Sequence, residues 1–327
     1  MAPGGKNYVE AHIVSSTLSR QTPVALIQET RVPEQTPSFR KVIDVAWRVL
    51  VVGAAYAVLF LALDQVAGNR LSILSVVVGV VTGGGFALVL LPLARRLPYR
   101  MWVRVIALFV PLYWINTLSN LVEAYFITTI SHTELVFGAV FLIVPILVVS
   151  LLIAWLMPAR RQPGAPGILA LLGRRPLLSW VWRALHAGLL FAVFLEVFGI
   201  AWGPLISRYY HDPAYIAQAH IANPAPPSHV TWAEEYVRGV VFVLALLPVL
   251  AVVRGRGWPA ILGVAVYVGL IDAVLEAWLP MLGGTFPLGF RLGEGLDLTS
   301  DAVARGAFVA LLLALPATYA TNDRTLQ

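Results

Sequence analysis

Residues 71–93 read LSILSVVVGVVTGGGFALVLLPL, a run with no charged side chain. A helix needs about 20 mostly apolar residues to cross the hydrocarbon core of a bilayer, and this run supplies them. Its apolar positions are continuous and do not alternate as they would in a barrel strand, so the run predicts a membrane helix. Seven more segments qualify on the same grounds: 44–64, 102–128, 134–157, 178–205, 234–253, 258–281 and 298–320. The composition agrees. Hydrophobic residues make up 59% of the 327 positions and charged residues 12%, against about 25% charged in a soluble domain. Too little polar surface remains to cover a water-facing body of this size. The expected fold is all-α, a polytopic membrane protein of about eight transmembrane helices.

Orientation follows from lysine and arginine. One alternate set of connecting segments carries Lys6, Arg20, Arg31, Arg40, Lys41, Arg95, Arg96, Arg100, Arg160, Arg161, Arg174, Arg175, Arg254, Arg256 and Arg324. The opposite set carries only Arg70, Arg208 and Arg291. This asymmetry puts both termini in the cytoplasm and requires an even number of spans; a prokaryotic cell membrane is the expected location. Residues 1–41 read as a cytoplasmic tail without the apolar core of a signal peptide. Residues 159–176 read as a basic cytoplasmic linker. Residues 206–233 form a long extracytoplasmic loop, broken by Pro213, Pro224, Pro226 and Pro227. The net charge of +6 is explained by this distribution, and no nucleic-acid partner is expected.

The chain also repeats itself. Trp47-Arg48, Leu50, Gly53, Tyr56 and Ala57-Val58 match Trp182-Arg183, Leu185, Gly188, Phe191 and Ala192-Val193 at an offset of 135. Gly83, Phe86, Leu88 and Leu90-Leu91-Pro92, then Trp102, match Gly239, Phe242, Leu244 and Leu246-Leu247-Pro248, then Trp258, at 156. Leu121-Val122-Glu123-Ala124-Tyr125 matches Val274-Leu275-Glu276-Ala277-Trp278 at 153, and Gly138-Ala139 matches Gly306-Ala307 at 168. Rare residues coincide in order, which predicts two four-helix repeats, 42–158 and 177–321. Four spans per copy return the chain to its starting side, so the copies are parallel repeats about an axis along the membrane normal. Each Trp-Arg pair is expected at the cytoplasmic headgroups, with its arginine reaching lipid phosphates.

A charge at the bilayer centre costs about 2.5–3.5 kcal/mol on insertion scales, so each one needs a partner, water or a purpose. Asn116, Asn120 and Glu123 recur at i, i+4 and i+7, one stripe of an α-helix. Asp272 and Glu276 share a face at i and i+4, and Glu196 stands on the fifth span. All six fall in the outer half of the membrane and are the candidates for a polar cavity open to the extracytoplasmic side. Glu123 and Glu276 are its quasi-equivalent carboxylates. Glu234 and Glu235 with Arg238, and Asp301 with Arg305, have the spacing of ion pairs within one helix and are the candidate structural partners.

Weaker signals carry less. Gly79/Gly83 and Gly199/Gly203 have the spacing of close helix packing. His211, His220 and His229 recur in the long loop without a metal-ligand pattern. Cysteine is absent, and no cofactor or metal is expected. Glu234-Glu235-Tyr236-Val237-Arg238-Gly239 is similar to the EExxxR element of CAAX-processing intramembrane proteases. It is one residue short, and no histidine follows His229, so that family's downstream histidine motifs have no counterpart and the metal site that the resemblance implies cannot be built. Three readings remain. A transporter- or permease-like protein would bind a proton, a cation or a basic solute at the acids. An intramembrane enzyme would use Glu123, Asp272 or Glu276 as general acid or base, with Arg238, Arg291 and Arg305 on an anionic head group. A non-catalytic subunit of a membrane complex would keep the acids only as ion-pair partners.

Overall fold

A computed structural model describes residues 39–66, 72–159, 167–213, 216–217, 227–252, 258–278 and 287–313, with the side chains of Asp64, Val252, Glu276 and Ala277 outside the description. The expected tail 1–41 lies almost wholly outside the described residues, as do His220 and much of the long loop. The chain divides into Met1–Val42 and Ile43–Gln327. Of the first unit only the opening turn of a helix is described; the helical bundle belongs to the second.

All regular elements among the described residues are helices. In chain order they are α1 (Phe39–Val66), α2 (Ile73–Arg96), α3 (Met101–Ile127), α4 (His132–Leu156), the short α5 (Ile168–Leu172), α6 (Leu177–Tyr210), α7 (Ser228–Val252), α8 (Trp258–Gly269, continuing as Leu270–Trp278) and α9 (Leu288–Leu313). Six of them, α1, α2, α3, α4, α6 and α8, are long and apolar enough to cross a membrane. Their outer faces are apolar: Ile73 is 86% exposed and Ile200 76%. That is the make-up of a multi-pass membrane protein. α7 and α9 have 25 and 26 residues, but each carries charges in its first half.

Local sequence sets the helix starts. Ser72 caps α2 by accepting from the Ser75 N–H at 3.0 Å. Ser131 and Glu134 form a reciprocal capping box at α4, so two orphan amides are met at once. Expectation and structure differ at α7 and α9, which begin at Ser228 and Leu288 and not near 234 and 298. Hydropathy takes a charged turn for a helix end. Here the charged turns stay helical because their side chains pair. The linker 159–176 also holds α5, a helix not expected from its composition.

Helix backbones approach one another most closely at glycines. A Cβ on Gly53 would sit 2.5 Å from the Val80 carbonyl oxygen, and one on Gly188 would sit 2.7 Å from that of Tyr236. A Cβ on Gly83 would lie 3.1 Å from Gly53 Cα, and one on Gly239 2.7 Å from Gly188 Cα. Glycine alone lets α1 approach α2, and α6 approach α7, this closely. Aromatic rings close over both crossings: Tyr56 meets Phe86 edge-on at 5.6 Å, and Phe191 meets Phe242 at 4.9 Å. Gly79 packs against Ala57, whereas nothing lies within 4 Å of a Cβ at Gly199 or Gly203.

Helix ends leave carbonyls without intrahelical partners, and arginines serve them here. Arg48 donates to Leu156 O and Arg183 donates to Leu312 O, close to the C-termini of α4 and α9. Arg104 reaches Met157 O at 2.5 Å and Arg175 reaches Leu313 O at 2.9 Å. The Trp-Arg pairs therefore differ from expectation. Their arginines turn inward to helix ends, where a cation also complements the helix dipole, and do not reach out to phosphates. Only the tryptophans stay outside, Trp47 43% and Trp182 63% exposed.

Two helices are wound more loosely in the middle. α3 contains a π-helical turn at Trp114–Leu118, and α8 is π-helical over Leu270–Trp278. In α3 the Ser119 N–H bonds to the Trp114 carbonyl five residues back. The two wide segments touch each other; α3 also packs on α7, and α2 on α8.

Candidate functional site

Where α3, α7 and α9 converge, two buried arginines hold a group of carboxylates. Glu234, Glu235 and Arg238 lie within five residues of α7, so they emerge on one side of that helix. Arg238 Nη1 donates to Glu235 Oε1 at 2.5 Å, and its Nε lies 3.3 Å from Glu234 Oε1. Across the helix boundary, Nη2 meets Glu123 Oε2 of α3 at 3.0 Å. The Ser119 hydroxyl of α3 accepts from Nε at 3.2 Å and from Nη2 at 3.0 Å. One guanidinium thus faces three carboxylates and a hydroxyl.

The second arginine extends the group. Arg305 Nη2 lies 3.2 Å from Glu235 Oε2 and pairs with Asp301 one turn earlier on α9. Its guanidinium also lies over the Phe191 ring of α6, 4.5 Å from the centroid, a contact that gains strength away from water. Glu235 therefore spans both arginines, one oxygen to each. The side chains of Glu234, Glu235, Arg238 and Arg305 are all at most 6% exposed, whereas that of Glu123 is 37% exposed. Glu123 is the open edge of an otherwise closed cluster.

Further acids lie within electrostatic reach. Asp272 of α8 feels both Arg238 and Arg305. Asp297 of α9 acts with Arg305 and Glu123, and Glu294 with Asp297 and Glu123. The Tyr210 hydroxyl donates to Glu294 Oε2 at 3.4 Å. Six carboxylates act on the two guanidiniums and Glu294 adjoins them through Asp297 and Glu123; these seven acids and two arginines carry a formal charge of −5 when all are ionised. Among the described residues no three histidine, aspartate or glutamate side chains are arranged to hold a metal ion.

The other sequence candidates fall in different places. Glu196 is exposed on α6 and accepts from Trp232 Nε1 at 2.7 Å, apart from the arginine cluster. Asn116 is buried inside the π turn with Thr117 Oγ1 at 3.5 Å. Asn120 is half-buried and takes no part in the ion-pair group. The extra residue of a π turn rotates the rest of the helix by about a quarter turn relative to an unbroken α-helix. Asn116 is thereby turned away from the expected stripe, while Ser119 and Glu123, one ordinary helical turn apart after the π segment, both meet Arg238. The side chain of Glu276 lies outside the described residues.

Sequence reasoning did not single out Ser119, Glu294 or Asp297. Ser119 carried a signal, because it stands one helical turn before Glu123. The two acids of α9 were missed because they precede its expected start. No family model, curated protein or solved structure matches the chain.

Proposed function

We propose that the chain is an eight-span membrane protein of two parallel four-helix repeats, with α1–α4 forming one and α6–α9 the other. It works as a transporter- or permease-like protein whose acidic cluster, on the extracytoplasmic side, takes up a proton, a cation or a basic solute. The repeat is supported by contacts that recur at matched offsets. Gly53 meeting Val80 and Gly83 has its counterpart in Gly188 meeting Tyr236 and Gly239. Tyr56 on Phe86 corresponds to Phe191 on Phe242. Arg48 donating to Leu156 O resembles Arg183 donating to Leu312 O at the end of the last helix of each unit, with the acceptors 156 apart and not at the 168 of Gly138 and Gly306. Both members of the matched pair α3 and α8 carry π turns, a form frequent at functional sites. The contacts of α3 with α7 and of α2 with α8 are those that a twofold axis would exchange. In that pairing Arg238 stands opposite Thr82 of the first copy, so the two copies are charged differently at their junction.

The observation that carries the function is the surplus of carboxylates over guanidiniums around two buried arginines, with Glu234 and Glu235 buried and Asp272, Glu294, Asp297 and Asp301 half-buried beside them. Ionised acids away from water are costly unless each finds a counter-charge. Two arginines cannot serve seven acids, so the remaining acids hold protons or attract cations from outside. Glu123, half open at the edge, offers the entry. The head-group-binding enzyme reading loses ground, because Arg238 and Arg305 already face carboxylates.

The test is flux. Purified protein in proteoliposomes, with an imposed pH gradient or potential, is expected to move protons or a monovalent cation, and Glu123→Gln and Glu276→Gln are each expected to abolish this. A second reading, a non-catalytic subunit held together by these ion pairs, is favoured by the full engagement of Arg238. It predicts no flux, with the same substitutions lowering only stability or partner recovery.

A further inference from the structure

A groove of about 530 Å³ lies between α2, α7 and α8, away from the acidic cluster. Leu88 and Leu93 form one wall, Val249 and Leu262 others, and Arg96 stands at its rim. On α2 the lining runs from Leu88 to Arg96, about 12 Å along the axis, and on α8 from Pro259 to Leu270, about 16 Å. Half of a hydrocarbon core is about 15 Å. The groove therefore has the length of one leaflet, with its cation at the end where α2 finishes.

The charge at that end is available. Arg95 and Arg96 close α2 and are exposed, and no hydrogen bond or ion pair engages either among the described residues. Arg100, four residues on, is exposed too. The groove wall has room beside Gly263, where a Cβ would meet nothing within 4 Å. A long apolar channel with cations at one end complements an amphiphile with an anionic head and an apolar chain.

We infer that this groove holds one anionic phospholipid of the leaflet that Arg96 faces, its phosphate on Arg96 and one acyl chain lying between α2 and α8. Such a chain touches both four-helix units at once. The inference needs neither transport activity nor the acidic cluster, so its failure and the failure of the functional reading are separable.

Native mass spectrometry of the full chain in a neutral detergent tests it, by titration with phosphatidylglycerol and, separately, phosphatidylcholine. The wild type is expected to take one phosphatidylglycerol in preference to phosphatidylcholine. Arg96→Gln lowers phosphatidylglycerol affinity about fivefold, the factor for one basic group at an anionic lipid surface, and leaves phosphatidylcholine unchanged. Gly263→Leu fills the groove and removes the first-bound lipid of either kind. Leu88→Trp does the same from α2 and serves if Gly263→Leu melts early. Equal binding of the two lipids by the wild type overturns the inference. So does retention of the first phosphatidylglycerol in both groove-filling variants, which would mean a surface ion pair and no seated chain.

Discussion

Replacing Arg238 by glutamine tests the central geometry most directly. The substitution removes a guanidinium that is 4% exposed and meets Glu123, Glu234 and Glu235 at 3.0, 3.3 and 2.5 Å. Glu234 and Glu235, 1% and 3% exposed, then stay buried. Glu235 keeps only Arg305, and Glu234 keeps no cation among its described ion pairs. Removing one partner of a buried pair costs about 3–5 kcal/mol, because the charge left behind is uncompensated. The expected loss is therefore about 3–5 kcal/mol at neutral pH, measured by thermal or denaturant unfolding in detergent. Acidification should narrow the deficit, since a protonated carboxyl no longer needs the missing cation. Glu123→Gln supplies the internal control. Its carboxylate is 37% exposed, so solvent screens the pair and the expected loss is about 0–1 kcal/mol. If Arg238→Gln costs less than about 1 kcal/mol, or no more than Glu123→Gln, the cluster is wet and the argument from buried charge is refuted.

Three other outcomes are expected from the packing. Gly239→Leu forces a side chain into the α6–α7 crossing, where a Cβ already comes within 2.7 Å of Gly188 Cα; unfolding in detergent should show a loss of about 1–3 kcal/mol or more, and Gly83→Leu should behave alike if the halves are equivalent. The Tyr267 hydroxyl is buried with no hydrogen-bond partner among the described residues, so Tyr267→Phe should leave stability unchanged or raise it by up to about 1–3 kcal/mol; a clear loss on melting would mean that the hydroxyl meets a bound group. Glu196→Gln alters only an exposed contact with Trp232 and is expected to change neither melting nor flux, whereas loss of flux would bring Glu196 into the pathway.

The helices were legible because a bilayer demands long apolar runs, which composition displays directly. Their starts at Ser228 and Leu288 were not, since Glu234, Glu294 and Asp297 look like loop chemistry until tertiary pairing makes them helical. Arg238 with Glu234, and Arg305 with Asp301, could be read from i, i+4 spacing, because a helix fixes that geometry by itself. The bond from Arg238 to Glu123 could not, because it depends on how α7 crosses α3. The π turn at Trp114–Leu118 defeated the stripe argument for Asn116 in the same way. A period of 3.6 is a property of an unbroken helix, and one added residue moves every later side chain to a new face. The inward turn of Arg48 and Arg183 was hidden for a related reason: an arginine near a membrane surface can seek lipid or a carbonyl, and only the nearness of α4 or α9 decides.

Glu235 divides its two oxygens between Arg238 and Arg305, so one side chain of α7 serves as the described ion-pair link to α9. The hold on α3 is separate: it runs from Arg238 to Glu123 and Ser119. α7 is thus the hinge post of two independent latches, and α9 can part from it while α3 stays fastened.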